Sequence, residues 1–261
     1  MEHSTRIGNR LLAALPLADF HLLAPHLRKV AIEPGAVLVR SGEPVEQIYF
    51  LLSGMVAFIV ELPNGQTVAT AAIGNEAATG MIAALGPSYS PTTAVVRVAG
   101  TALQIAPARF RAALSRSAAL GYTVQTLTQV LLTQFQSAAA CNALHSVEAR
   151  TARWLLQIHD RIEGDCLPLT QETLSELLGV RRTTVTHVIQ KLKSAGAIRS
   201  NRRGMIEVDR PLLEASACKC YKAMCSRIDR IVPPDAAKLR SHAAAAGAQF
   251  RWATGERARS H

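Results

Sequence analysis

Apolar positions recur at helical spacing through residues 168–198, PLTQETLSELLGVRRTTVTHVIQKLKSAGAI, and predict two short helices joined by a tight turn. Leu174, Leu177 and Leu178 form the stripe on the first helix; Val185, Val188, Ile189 and Leu192 form it on the second. Thr170 stands where its hydroxyl can cap the first helix. Gly179 stands where that helix must end in a residue tolerant of positive φ. Ser175 is small where the two helices would cross. This spacing is that of a helix-turn-helix.

Elsewhere the pattern changes twice. Residues 1–30 read as a helical entry, with Pro16 and Pro25 as breaks. From about residue 30, short apolar runs lie between turn signals. Residues 47–60 predict two strands pinched at Ser53 and Gly54, and Pro63, Asn64 and Gly65 predict a hairpin turn. Further strands are expected at 67–73, 93–98 and 102–105, which together suggest a sandwich or antiparallel barrel. Beyond Pro107 the helical period returns. Leu120, Val124, Leu127, Leu131, Gln134, Ala138 and Cys141 recur at alternating gaps of four and three. That heptad seam predicts pairing with a second copy, with Gln134 fixing the register, the alternative being a single helix lying on its own domain; Val130 and Phe135 are also apolar, so one face is expected on the sandwich and one on a partner. A helix at 147–162 leads into the helix-turn-helix. Residues 199–208 read as a hairpin with Arg202, Arg203 and Gly204 at its tip, and 211–232 as helical. The expected layout is a sensor with helical entry at 1–116, a dimerisation helix at 117–144, a winged helix-turn-helix at 145–232 and a disordered basic tail at 233–261. The fold class is α+β.

Charge sharpens this picture. The 261-residue chain has a net charge of +10 and 49% hydrophobic residues, enough for two domains with sizeable cores. Residues 1–144 carry +2 and residues 145–261 carry +8, so the basic half is the half with the helix-turn-helix. Arg182, Thr183, Thr186, His187, Gln190 and Lys193 lie off the apolar stripe of the second helix, with Arg181 and Thr184 at its head. Most of that face donates hydrogen bonds and none of it is acidic; Glu172 and Glu176 sit on the first helix. DNA offers mainly acceptors at its base edges and phosphates, so this face fits a major groove, with Arg202 and Arg203 on adjacent phosphates.

Other chemistry is not expected. G-x-S-x-G, P-loop, H-E-x-x-H and C-x-x-C patterns are all absent, and His159-Asp160 needs no catalytic role, so the chain is read as non-enzymatic. On a continuous helix Cys218 and Cys220 would face different ways. They and Cys225 are read as structural cysteines, and no metal site is expected. The start, MEHSTRIGNR, lacks the apolar core of a secretory signal, and the charge-free runs at 77–96 and 117–147 are broken by Gly and Pro or rich in Gln and Thr. A cytoplasmic location with reduced thiols is expected.

A strand-rich sensor, a long helix and a winged helix-turn-helix, in that order, resemble the Crp–Fnr family of bacterial transcription regulators across about residues 15–230. The resemblance rests on IYFLLSGMVA, TTAVVRV and LTQETLSELLGVRRTTVTHVIQKLKSAGAI. It implies an N-terminal antiparallel β-roll like that of cyclic-nucleotide-binding domains, a homodimer, palindromic promoter DNA as ligand and contact with RNA polymerase. Arg182, Thr183 and His187 match the family's three base-contacting places. The family usually has Glu and Arg at the second and third, so the half-site should differ; Arg181 replaces a small capping hydroxyl. The cyclic-AMP signature is also altered. Gly74, Asn75 and Glu76 put the Glu one place late, and Thr92, before Thr93, stands where an Arg would hold the phosphate. These five residues are the expected effector pocket, and cyclic AMP is not expected to bind tightly. An N-terminal iron–sulfur cluster is not expected either, since the first cysteine is Cys141. The cofactor or effector is left unnamed. The competing reading is a small-molecule-binding module whose helix-turn-helix serves assembly rather than DNA.

Overall fold

The computed structural model describes residues 7–86, 88–200 and 205–235. Two short helices, α1 (Arg10–Ala13) and α2 (Leu17–Leu23), lead through a single 3-10 turn into the strands. These are β1 (Arg28–Ile32), β2 (Val37–Val39), β3 (Ile48–Leu51), β4 (Met55–Glu61), β5 (Thr67–Ile73), β6 (Ala78–Thr79), β7 (Thr93–Val98) and β8 (Gly100–Ile105). They form two four-stranded antiparallel sheets, ordered β1-β8-β3-β6 and β2-β7-β4-β5, which face each other as a β-roll. The expected strand pair within 47–60 is β3 and β4. Between them Gly54 has φ +81, and a Cβ there would lie 2.6 Å from the Val98 carbonyl oxygen, so the pinch requires glycine.

The run MVAFIVE of β4 carries little of the alternation expected of a half-exposed strand, because both its faces are covered. Val56 and Phe58 point into the roll with Ile73, Ala94 and Val96. Met55, Ala57 and Ile59 point the other way, with Ala69, Ala72 and Val98, against Trp154, Leu155 and Leu178 of the C-terminal half. One sheet therefore supplies a wall to two cores.

After α3 (Pro107–Leu114) comes α4 (Ala118–Leu144), capped by Ser117, whose hydroxyl accepts from the Leu120 N–H. The heptad seam faces inward, which corrects the sequence reading of it. Leu120, Val124, Leu127 and Leu131 are buried in the roll core, and Gln134, Ala138 and Cys141 are buried within the chain as well. Instead of fixing a partner's register, Gln134 accepts a 2.9 Å hydrogen bond from the Ala72 N–H and ties α4 to β5. The same 3.5-residue period serves intrachain packing because a long helix lying on a sheet also needs one continuous apolar seam.

The C-terminal half comprises α5 (Val147–His159), β9 (Cys166–Leu167), α6 (Gln171–Leu178), α7 (Arg182–Ser194), β10 (Ile198–Ser200), β11 (Ile206–Val208), α8 (Arg210–Ser216) and α9 (Cys220–Ile231). Strands β10, β11 and β9 form a small antiparallel sheet, the wing. The single helix expected at 211–232 is two, broken at 217–219. Leu213 of α8 is buried in the core shared with β4, whereas Met224 and Ile228 of α9 are buried in the roll core beside α4. One straight helix could not serve both cores. The expected tail at 233–261 lies outside the described residues from 236 onward.

Asn9 holds the entry in place. Its wholly buried amide donates to the Leu51 and Ala77 carbonyls at 2.9 and 2.8 Å, and its Oδ1 caps α1 by accepting from the Leu12 N–H. Alanine would remove three hydrogen bonds to buried backbone groups. Asn9→Ala is expected to cost about 2–4 kcal/mol, read as a lowered urea midpoint with an unchanged slope.

Candidate nucleic-acid interface

The helix-turn-helix is assembled by local sequence. The Thr170 hydroxyl accepts from the Thr173 N–H at 3.1 Å, and Gly179, at φ +66, ends α6. Helix α7 starts after Arg181, whose side chain makes no capping bond. Val185, Val188, Ile189 and Leu192 turn into the core. Arg182, Thr183, Thr186, His187 and Gln190 are exposed, with Thr184 and Lys193 half-buried at the margins. The exposed side chains of α7 that are expected to meet DNA thus lie on one face of the helix. One is partly engaged already: the Thr186 hydroxyl donates to Gln171 Oε1 at 2.8 Å, linking the two helices. Ser175 is half-buried and donates to the Glu172 carbonyl within its own helix. The exposed Arg199 lies on β10, and Arg202 and Arg203 lie outside the described residues.

Sequence reasoning missed how firmly this unit is joined to the roll. Arg97 of β7 donates to Glu176 of α6 at 2.7 Å. Below it, Arg161 donates to the buried Glu76 at 2.6 Å, and Glu76 also accepts from the Gly74 N–H at 3.0 Å. Burial would raise the Glu76 carboxyl, but Arg161 beside it and the backbone N–H groups hold it below the ordinary carboxylate value of 4.5. A cavity of about 300 Å³ lies at this junction, lined among others by Glu76, Gln134, Asp160, Arg161, Tyr221 and Met224.

The five expected effector residues fall in two groups. Gly74, Asn75 and Glu76 follow β5 at the end where Ile73 pairs with Val56, and Asn75 and Glu76 line the junction cavity. Thr93 pairs with Ile59, toward the other end of β4, and its hydroxyl accepts from the Ser41 N–H at 3.2 Å. The Thr92 carbonyl accepts from the Ser90 hydroxyl at 2.6 Å. The residues between, Ala78, Met81, Ala83 and Ala84, are packed into the roll core.

The cysteines also require a correction. Because the chain breaks between α8 and α9, Cys218 and Cys220 are not on one helix. They meet Cys141 and His145, and all four ligand atoms lie within 4.8 Å of one another. One helical turn separates Cys141 from His145, a spacing that places both on one side of α4 and that could have been read from the sequence. His159 and Asp160 are bound into the C-terminal packing. Arg210 donates to His159 Nδ1 at 2.9 Å, and Asp160 accepts from Arg210 and from the Tyr221 hydroxyl.

Two family signatures match the sequence: the cyclic nucleotide-binding domain over residues 29–117 and the Crp-like helix-turn-helix domain over residues 149–216. Among solved structures, a Crp/Fnr-family transcriptional regulator from Eubacterium rectale is 16% identical, with TM-score 0.65, covering 78% of this chain and 96% of its own. FixK2 from Bradyrhizobium japonicum is 17% identical, with TM-score 0.62 and coverages of 74% and 98%. The c-di-GMP-responsive global regulator CLP from Xanthomonas campestris is 18% identical, with TM-score 0.61 and coverages of 74% and 99%. No curated protein matches. No helix among the described residues is long and apolar enough to cross a membrane.

Removing one partner of the buried pair strands the other charge. Arg161→Met is expected to destabilise the protein by about 3–5 kcal/mol near pH 7. The depressed Glu76 carboxyl stabilises the fold above 4.5, and that contribution fades as pH falls through its folded value. Calorimetric melts from pH 7 down to the acid range are expected to show this acid loss in the native protein and a smaller one in Glu76→Gln.

Proposed function

Because the chain belongs to the Crp–Fnr family of transcription regulators, which are not enzymes, we propose that it is a homodimeric, sequence-specific DNA-binding regulator acting in the cytoplasm. The observation that carries this reading is the exposed, acid-free face of α7, standing clear of both cores. In a major groove, Arg182 would donate as a fork to guanine O6 and N7, Thr183 would meet a thymine methyl or a polar edge, and His187 and Gln190 would reach the next bases. Arg181, Thr184, Thr186 and Lys193 would serve phosphates, as would Arg202 and Arg203 if the hairpin expected from the sequence carries them. RNA polymerase is the expected protein partner.

The dimer is proposed on a different face of α4 from the buried seam. Gln125, Gln129, Leu132, Gln136, Ala139 and Ala143 are exposed and repeat at alternating gaps of four and three. Helix α4 contains no Asp, Glu, Lys or Arg over its 27 residues, and Leu132 is 53% exposed. Such a face suits a parallel helix pair, which would present two copies of α7 to a palindromic site.

Cyclic AMP is not the proposed trigger. Thr92 offers no charge to a cyclic phosphate, and Glu76 is taken up by Arg161. Binding titrations on promoter fragments test these readings together. Arg182→Ala is expected to weaken specific binding by about 1–3 kcal/mol, roughly 5- to 150-fold, and cyclic AMP to leave the curve in place. Equal affinity of Arg182→Ala and the native chain for specific DNA would count against the role given to Arg182, whereas no specific DNA binding by the native chain would favour the assembly-module reading. Leu132→Glu is expected to sediment as a monomer and to lose cooperative occupancy of the two half-sites.

A further inference from the structure

Cys141 and His145 lie one turn apart at the end of α4, His145 being its C-terminal cap residue, and Cys218 and Cys220 flank Lys219 at the start of α9. Segments far apart in sequence therefore bring three thiols and one imidazole together, all ligand atoms within 4.8 Å of one another. Two edges of the set are known. Cys141 Sγ to Cys218 Sγ is 3.8 Å, and Cys220 Sγ to His145 Nδ1 is also 3.8 Å. A tetrahedron with metal–sulfur bonds of about 2.3 Å has edges of about 3.8 Å. Disulfide-bonded sulfurs stand about 2.05 Å apart, so the spacing suits a shared ion better than a bond.

A second observation comes from the charges around this cluster. Arg150 and Arg153 of α5 are 8% and 3% exposed, and neither pairs with a carboxylate among the described residues. Arg150 donates to the Leu178 carbonyl and Arg153 reaches Gln157 Oε1, but the Nε of each and one terminal nitrogen of Arg153 find no hydrogen-bond partner among the described residues. Both guanidinium charges bear on the thiols: Arg153 on Cys141, and Arg150 on Cys141 and Cys218. Two buried cations without a counter-charge are costly.

We propose that Cys141, His145, Cys218 and Cys220 form a closed structural site for one thiophilic, tetrahedral divalent ion, Zn²⁺, neutralised from outside by Arg150 and Arg153. On binding, the three thiols release their protons to solvent and the neutral imidazole coordinates through Nδ1. Zn²⁺ with three thiolates carries one net negative charge, the sign that the two arginines lack. All four corners are protein ligands, which leaves none for substrate and makes the site structural. The ion would fasten the end of α4 to the corner between α8 and α9, just where Ser146 opens α5.

The test uses the full chain, stripped with chelator under reducing conditions and refilled with Zn²⁺ or Co²⁺. One equivalent of Zn²⁺ per chain is expected by elemental mass spectrometry, with the intense visible bands of tetrahedral cobalt–thiolate and a raised melting temperature. Cys220 and His145 are half-buried, so Cys220→Ser and His145→Ala should keep the native circular dichroism. Each is expected to weaken binding more than about tenfold. Cys166→Ser and Cys225→Ser, outside the set, should bind like the native chain. The proposal is overturned by binding well below one equivalent, by binding that ignores Cys220→Ser and His145→Ala, or by a metal-free chain carrying a Cys141–Cys218 disulfide.

Discussion

The sheet β2-β7-β4-β5 is the constraint on which the rest of the structure depends, because both of its faces are buried. A strand covered on one side leaves polar residues at alternate positions; β4 instead alternates between two apolar destinations, Val56 and Phe58 into the roll, Met55, Ala57 and Ile59 into the core around Trp154. A one-residue slip of register would exchange the two sets. The Arg97–Glu176 and Arg161–Glu76 pairs then fix the position of the C-terminal half on this surface, the first near solvent and the second with its carboxylate buried. Burial supplies the attraction, which has no direction, and the ion pairs supply the direction.

Elements governed by local rules were legible in the sequence. The Thr170 cap, the Gly179 stop, the pinch at Gly54 and the apolar stripes of α6 and α7 are short-range features, and each appears where its residues predict. The face of α7 was legible for the same reason, since a helix turns a list of residues into a surface by its period alone. What the period could not supply was the identity of the partner. Leu120, Val124, Leu127 and Leu131 repeat as a coiled coil would, yet they meet the chain's own sheet. Heptad spacing reports that a helix lies along something continuous and apolar, without saying whether that is another helix.

The remaining failures were non-local. Nothing near Glu76 announces Arg161, 85 residues away, and nothing near Cys141 announces Cys218. Cys218 and Cys220 appeared to face apart because their helix was taken as continuous. The break at 217–219 follows from two hydrophobic cores competing for Leu213 and Met224, which is settled only in the assembled fold. Asn9 belongs to the same class, since its bonds to Leu51 and Ala77 join positions separated by 42 and 68 residues.

On the outer face of the shared sheet, alanines at 57, 69 and 72 lie among the larger Met55, Ile59 and Val98. The small side chains leave hollows and the large ones raise knobs, so the helices above interlock with the sheet. Pulling the two halves apart would bare the whole face to water, at about 25 cal/mol for every Å² of apolar surface uncovered. Sliding one half over the other would move Met55 and Ile59 past the helices they pack against and draw Met224 and Ile228 of α9 out of the roll core. The contact is therefore keyed against shear as well as held against separation, by the same side chains that fill the two cores.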